Sequence, residues 1–462
     1  MTEPALVESG RRSRVAAVVR HPLTLWAAFV LVHFWLGMLG LFAPGLPLGD
    51  VILVYKFWVE HGLVAHHWVG LDTPGVYPVV ALLPMIVAYL FGPALYASTW
   101  LSLVMLVDAA AFAVIMGFGR DRRLAPVAWW WLGLLVLLGP VALGRIDSIV
   151  APVAIVGLLC LGAAPRLAGA LLAVAAWIKV WPAALIAAVL IVIRGRWRFL
   201  TGVVVTCVVI VVGAMLLGGG TDLLSFVTQQ TGRGLQIESG IGTFWMWGTY
   251  VNPNVFYLAY DTTILTYQLT GPGVDVAAAI TTPLMALVVA GLLVLGLVAT
   301  RRGVLIGHLL PPLALAITTA LIVFNKVGSP QFVTWLAVPI VFGLATAATG
   351  RGISFRSPAL LGLVIAALTQ IVYPYLYSYL LDRNSTMIVV LTMRNFLYLV
   401  LLGWAIAAVV RLCRTGPERG LREGAVYEAE WLPQVWPFGA ESRPSTGSPS
   451  ESFDPDEVRG PR

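Results

Sequence analysis

The 462 residues are 59% hydrophobic and only 11% charged, where a soluble domain carries about 25% charge, so a water-soluble globular protein is excluded. The net charge of +7 sits between apolar runs, in a chain of mean hydropathy +0.89. That pattern points to membrane topology and anionic headgroups, and nothing in it suggests a nucleic-acid partner. Cys160 and Cys207 lie inside apolar runs and Cys413 at the edge of one, which implies neither a disulfide framework nor a thiolate metal site.

The chain opens with a basic stretch, residues 1–22, holding Arg11, Arg12, Arg14 and Arg20. No small-x-small cleavage site follows, and the surroundings of Arg11-Arg12 do not make a twin-arginine signal, so the first apolar run is expected to remain as an anchor. Crossing a bilayer takes about 17–25 apolar residues. Such runs fall near 24–44, 76–94, 98–118, 125–142, 148–164, 167–192, 199–218, 275–299, 304–324, 331–349, 358–380 and 387–410. The expected fold is an all-α polytopic membrane protein of about twelve transmembrane helices over residues 23–411, since only helices or closed barrels satisfy their backbone in lipid.

Lys/Arg placement sets the orientation. The N-terminal arginines, Arg194, Arg196 and Arg198, Arg301 and Arg302, Arg351 and Arg356, and Arg411 and Arg414 all fall on one side of such a bundle, with both termini cytoplasmic. Arg120, Arg122 and Arg123 fall on the other side, which suggests that one of the second to fifth runs is re-entrant.

Two segments on the outer side are long enough to build a site. In the first, residues 45–75, Asp50 heads a stretch in which Asp50, Lys56, Glu60 and His61 share one arc of a helical wheel, the pattern of a helix lying in the interface. Asp50 also reads as a helix N-cap after Gly49. His66 and His67 are adjacent, poor spacing for a shared metal, and are expected to be solvated.

The second outer segment, residues 219–274, combines aromatics with Arg233, Gln236 and Glu238. Rings beside such polar groups suit sugar faces and hydroxyls, and they also suit an interfacial aromatic belt. Residues 412–462 change composition to Pro, Ser, Glu, Arg and Gly and read as a disordered cytoplasmic tail. The Asp454-Pro455-Asp456 triplet in it lacks the folded pocket that a metal-binding motif needs. No P-loop, GxGxxG, HExxH or CxxC is present, which argues against a nucleotide-driven pump.

Ionisable residues within spans are costly and so are functional candidates. Lys179 stands in the sixth run just before Trp181-Pro182; it could meet a phosphate or pair with a buried carboxylate such as Asp108. Arg145 and Asp147 connect the fourth and fifth runs and read as a local ion pair or as an Asp cap for the next helix. The turn holding Asn325, Lys326, Ser329 and Gln331 is richer in hydrogen-bonding groups than a plain turn needs. His308 is expected to be a neutral core histidine.

Taken together, Asp50 after the first span, Gly144-Arg145-Ile146-Asp147, the Lys179 segment ending in Trp181-Pro182, Arg233 through Ser239, and Gly328-Ser329-Pro330-Gln331 with Trp335 resemble the GT-C glycosyltransferases. Within them the resemblance is to glycosyltransferase family 87, the actinobacterial polyprenyl-phosphate-mannose-dependent α-1,2-mannosyltransferases. It implies a GT-C type bundle with interfacial helices in its outer loops and an inverting transfer from a polyprenyl-phosphate sugar to a membrane glycolipid or lipoglycan. Asp50 would be the catalytic base, and Arg233, Gln236, Glu238, Lys326, Gln331, Lys179, Arg145 and Asp147 would line the substrate site. Some GT-C relatives carry an acidic pair in the first loop; here it starts with Asp50 alone, so no metal and no cofactor is expected. The rival readings are an arabinofuranosyl donor and a lipid-linked-sugar transporter. Against the transporter stands the lack of paired repeats with broken helices.

Overall fold

The computed structural model describes residues 15–415 apart from 16, 232, 263 and 264; the expectations about the tail, Asp454 and Asp456, and Arg11, Arg12 and Arg14 fall outside that range. Among the described residues, nine helices are long and apolar enough to cross a membrane. In chain order the helices are α1 (Pro22–Phe42), α2 (Lys56–Ala65), α3 (Leu82–Ala88), α4 (Tyr96–Ile115), α5 (Ala125–Leu138), α6 (Asp147–Leu159), α7 (Pro165–Ile178), α8 (Pro182–Val192), α9 (Arg196–Leu216), α10 (Ser225–Thr231), α11 (Thr243–Val251), α12 (Val274–Arg301), α13 (Ile306–Val323), α14 (Val333–Ala348), α15 (Arg356–Gln370), α16 (Tyr377–Leu381) and α17 (Ser385–Thr415). Proline opens several of them. Pro22, Pro165 and Pro182 occupy the first helical turn, where the missing N–H costs nothing and the fixed φ favours the helix. His21 caps α1 by accepting from the Leu23 N–H at 3.2 Å.

Burial sorts the helices into layers. The spans Ile306–Val323 and Pro330–Ala348 are buried over 89% and 83% of their apolar windows, whereas α9 and α12 are buried over only 17%. The first pair forms the centre of the bundle. The second pair turns Val204, Val208, Leu287 and Val294 outward, where lipid would cover them.

Three of the expected spans have a different form. The second run yields only Val79–Ala88, which rises about 15 Å against a hydrocarbon core of about 30 Å. Both its flanks stay at one end of the bundle. Gly75 N–H donates to Ser225 Oγ at 2.9 Å before it, and Tyr89 and Tyr96 lie against Glu60 after it. It is therefore re-entrant. The fifth run is a short helix, α6. The sixth is two helices, α7 and α8, broken at Lys179, whose backbone is extended (φ −153°, ψ 132°).

The re-entrant helix restores agreement among the arginines. With α4 starting at the same end as α2, Arg120, Arg122 and Arg123 come to the end where α1 begins. A Cβ on Gly119 would lie 3.2 Å from Pro22, and Trp129 Nε1 donates to the Val19 carbonyl at 3.0 Å. Arg356 joins that end through Trp130 Nε1, which donates to the Ala359 carbonyl at 2.9 Å. There too, Arg302 reaches across to the Cys413 carbonyl at 3.1 Å. This is the basic end of the bundle. His308 stands there half-buried, not in the core.

The opposite end carries both long connecting segments. In the first, Asp50–Tyr55 forms a π-helix that runs into α2, and His66 and His67 are exposed. In the second, interfacial helices are not the whole content. Tyr257–Asp261 and Thr266–Thr270 pair as an antiparallel hairpin, β1 and β2, with Tyr260 opposite Tyr267. Alternating Tyr, Leu and Thr favour a pleated, half-buried surface over a helix.

Candidate functional site

The site gathers at the end opposite the arginines. Its first contact joins Asp50 to Arg145, a salt bridge between Asp50 Oδ1 and a guanidinium nitrogen. Asp50 is not a cap: it lies inside the π-helix, Gly49 holds the N-cap position, and no side chain bonds the helix start. The loop before it reaches Arg145 because the chain comes unusually close. A Cβ on Gly144 would lie 2.8 Å from the Pro47 carbonyl oxygen. The Arg145 side chain is 9% exposed and that of Asp50 36%, so the cation is buried and the carboxylate half-open. Arg145 also donates to Tyr373 Oη at 2.8 Å and lies 5.5 Å from that ring's centre. The backbone N–H of Ile146 donates to Tyr55 Oη at 3.2 Å.

Arg145 and Asp147 therefore do not pair with each other. Residues two apart point in different directions. Asp147 is completely buried, and Ile146, not Asp147, occupies the N-cap of α6. Both Asp147 oxygens are engaged: Lys179 Nζ lies 2.5 Å from Oδ2, and Trp335 Nε1 donates to Oδ1 at 2.7 Å. The rings of Tyr77, Phe332 and Trp335 surround the ammonium at 5.6, 5.4 and 5.5 Å.

Lys179 thus has a different partner from the expected Asp108, whose Oδ2 lies 3.0 Å from His33 Nε2 between α1 and α4. The break between α7 and α8 brings Lys179 to Asp147 at the start of α6, and so into the site. The break follows from Pro182, which has no N–H for the Ile178 carbonyl and whose ring would clash with that carbonyl in a continuous helix, so α8 starts afresh.

The two polar motifs of the second half meet directly. A Cβ on Gly328 would lie 2.2 Å from backbone atoms of Glu238 and Ser239, so only glycine fits there. The Gln236 N–H donates to the Lys326 carbonyl at 2.9 Å. Glu238 is buried and faces Arg394, which reaches its Oε2 at 2.8 Å and its carbonyl at 2.6 Å. Burial holds the Glu238 carboxyl above the usual carboxylate range, with Arg394 opposing. Asn395 donates to Thr243 Oγ1 at 2.8 Å. Glu238 thereby anchors its loop, and with Ser329, Arg394 and Asn395 it also lines a cavity of about 330 Å³.

Arg233 is half-buried with its Nε hidden from solvent and without a hydrogen-bond partner, and its charge acts on Tyr77, Asp261 and Asp50. Lys326 is buried; burial and the neighbouring Arg233 both push its ammonium below the usual lysine range. Lys179 in turn feels Asp50 and Arg233. Asp50, Arg145, Asp147, Lys179, Arg233 and Lys326 therefore form one electrostatic cluster. Gln331 is buried in the turn before α14, next to Phe332 of the lysine cage. Gln236 contributes backbone here and bridges Gln268.

Sequence reasoning missed Arg394, although an arginine inside an apolar run is a strong signal. It also missed Tyr55, Tyr77 and Tyr373, which look like ordinary interfacial aromatics. Among the described residues, no group of three or more His, Cys, Asp or Glu could hold a metal ion.

The arrangement offers a half-open carboxylate within a nest of cations, bordered by tyrosines. Residues 76–264 match the family model of Glycosyltransferase family 87. No curated protein and no solved structure matches the chain. The matched stretch includes Arg145, Asp147, Lys179, Arg233 and Glu238, while Asp50, Lys326, Tyr373 and Arg394 lie outside it.

Proposed function

We propose that this GT87-like membrane glycosyltransferase transfers a mannosyl group from a polyprenyl-phosphate donor to a membrane glycolipid or lipoglycan. The observation that carries the reading is the Asp50 carboxylate, held through one oxygen by Arg145 and still 36% exposed, in the same cluster as Arg233, Lys326 and Lys179. Arginine clusters favour the cytoplasmic side, so the basic end is read as cytoplasmic, with both termini, and the site as facing outward.

In this mechanism an acceptor hydroxyl attacks the anomeric carbon from the face opposite the phosphate. Asp50 takes the hydroxyl proton as the new C–O bond forms. The old C–O bond breaks with its electron pair going to the phosphate oxygen. One displacement inverts the centre, so a β-linked donor gives an α-linked product. General-base help is worth about 10²–10⁴-fold. Charge builds on the departing phosphate, and fixed cations in a shielded site stabilise it without reorganisation. Arg233 and Lys326 are the cations assigned to that role. Arg145 positions the base.

The test is transfer by purified protein in lipid, with radiolabelled polyprenyl-phosphate mannose, polyprenyl-phosphate arabinose or GDP-mannose as sole donor and a panel of envelope glycolipids as acceptors. The reading expects label to move from polyprenyl-phosphate mannose alone. Label moving only from the arabinose lipid would replace the mannosyl assignment. Label moving directly from GDP-mannose would refute the lipid-donor mechanism.

A further inference from the structure

A row of tyrosines leads from the surface to the Asp50–Arg145 pair. Tyr260 and Tyr267, opposite each other in the hairpin, have ring centres 4.9 Å apart. Tyr267 lies 6.2 Å from Tyr377, and Tyr377 lies 5.3 Å from Tyr373. Tyr373 accepts the hydrogen bond from Arg145, which holds Asp50. The rings meet at 53°, 64° and 82°, so no step is a face-to-face stack that would hide both partners' faces. Tyr260 is 49% exposed, and Tyr267, Tyr377 and Tyr373 are each half-buried.

An interfacial belt would set its rings side by side at one depth. This row instead links one exposed ring, through successive ring contacts, to the Tyr373 hydroxyl that Arg145 holds. A tyrosine offers an apolar face and a polar tip together, which matches the C–H face and hydroxyl edge of a sugar ring. The opposite face of the hairpin is polar, where Gln268 donates to Asp261 at 2.8 Å.

We infer that the row Tyr260–Tyr267–Tyr377–Tyr373 is a binding track for an oligosaccharide acceptor, holding several sugar rings and delivering the terminal hydroxyl to Asp50. The acceptor is then a glycan chain and not a bare lipid headgroup. The inference rests on the transferase reading for the word acceptor, but saccharide binding can be measured without turnover.

The experiment titrates the full-length protein in nanodiscs, without donor, with α-linked mannose oligosaccharides of increasing length from the monosaccharide to the tetrasaccharide, by calorimetry. Wild-type affinity is expected to rise about tenfold from the shortest to the longest, the scale of one or two ring contacts. Tyr260→Ala, at an exposed position that folding tolerates, should flatten that rise. Tyr250→Ala, an exposed ring off the row, should keep it. Affinity independent of length, no binding of any oligosaccharide, or a length dependence unchanged in Tyr260→Ala would overturn the track. If length-dependent binding is found and no lipid-linked donor supports transfer, the track stands and the transferase reading fails. If transfer proceeds and Tyr260→Ala binds like wild type, the reverse holds.

Discussion

The ammonium of Lys179 lies 2.5 Å from the carboxylate of Asp147, joining a helix break to the start of α6. The second Asp147 oxygen takes the indole N–H of Trp335. Neither group can be removed alone without leaving the other charged or polar in a closed space. Asp147→Asn should therefore destabilise the protein by about 3–5 kcal/mol, the cost of breaking a buried pair from one side. Asp147→Asn combined with Lys179→Met should recover much of that loss, because the stranded charge is gone. Thermal unfolding of the detergent-purified variants measures both. Losses that simply add would show that the two residues do not act as a pair.

Arg394 and Glu238 make a second buried pair, which fixes the loop carrying Gln236 and Ser239. Arg394→Gln should loosen residues 236–242 and raise their amide exchange well above wild type. Transfer should weaken along with it, since Gln236 and Lys326 are joined through backbone. Unchanged exchange in that loop would mean that Gly328 packing holds it without Arg394.

Lys326 carries a pH signature. Burial and Arg233 favour its neutral form, so its charge is complete only below its lowered pKa and is lost as pH rises through it. If it binds the donor phosphate, KM for the donor should begin to climb on the alkaline side below the ordinary lysine range of about 10.4. Lys326→Arg, which stays charged, should move that climb to higher pH. A limb at the same pH in both proteins would free Lys326 from this role.

The re-entrant Val79–Ala88 helix places Asp121 at the basic end and Thr73 at the site end. A cysteine introduced at Thr73 should react with an impermeant maleimide in intact cells, and one at Asp121 only after lysis. Labelling of position 121 from outside would reverse the re-entrant assignment.

How much of this was legible in the chain depends on the residue. The apolar runs and the arginine clusters carried the membrane class, because length and charge act there without tertiary help. Even the discord of Arg120–Arg123 pointed to a re-entrant segment, though not to which one; the ten residues of Val79–Ala88 gave no separate signal within a continuous apolar run. Asp50, Arg145, Asp147 and Lys179 all stood out as polar residues in unpolar surroundings. Their pairing did not, since Asp50–Arg145 and Asp147–Lys179 cross the bundle and neighbours in sequence suggested a local pair. The hairpin was missed because its alternation lies inside a loop rich in aromatics. Tyr373 and Tyr377 were missed because a tyrosine at a span end usually needs no further explanation.

Asp50→Asn in the lipid-linked transfer assay tests the central claim most directly. The substitution keeps size and an oxygen that can accept from Arg145, and it removes the base. The expected result is normal expression and a monodisperse elution profile, with the transfer rate down by about 10²-fold or more. A well-folded Asp50→Asn protein that keeps more than about half the wild-type rate, against the loss expected for a missing general base, would contradict the role of Asp50.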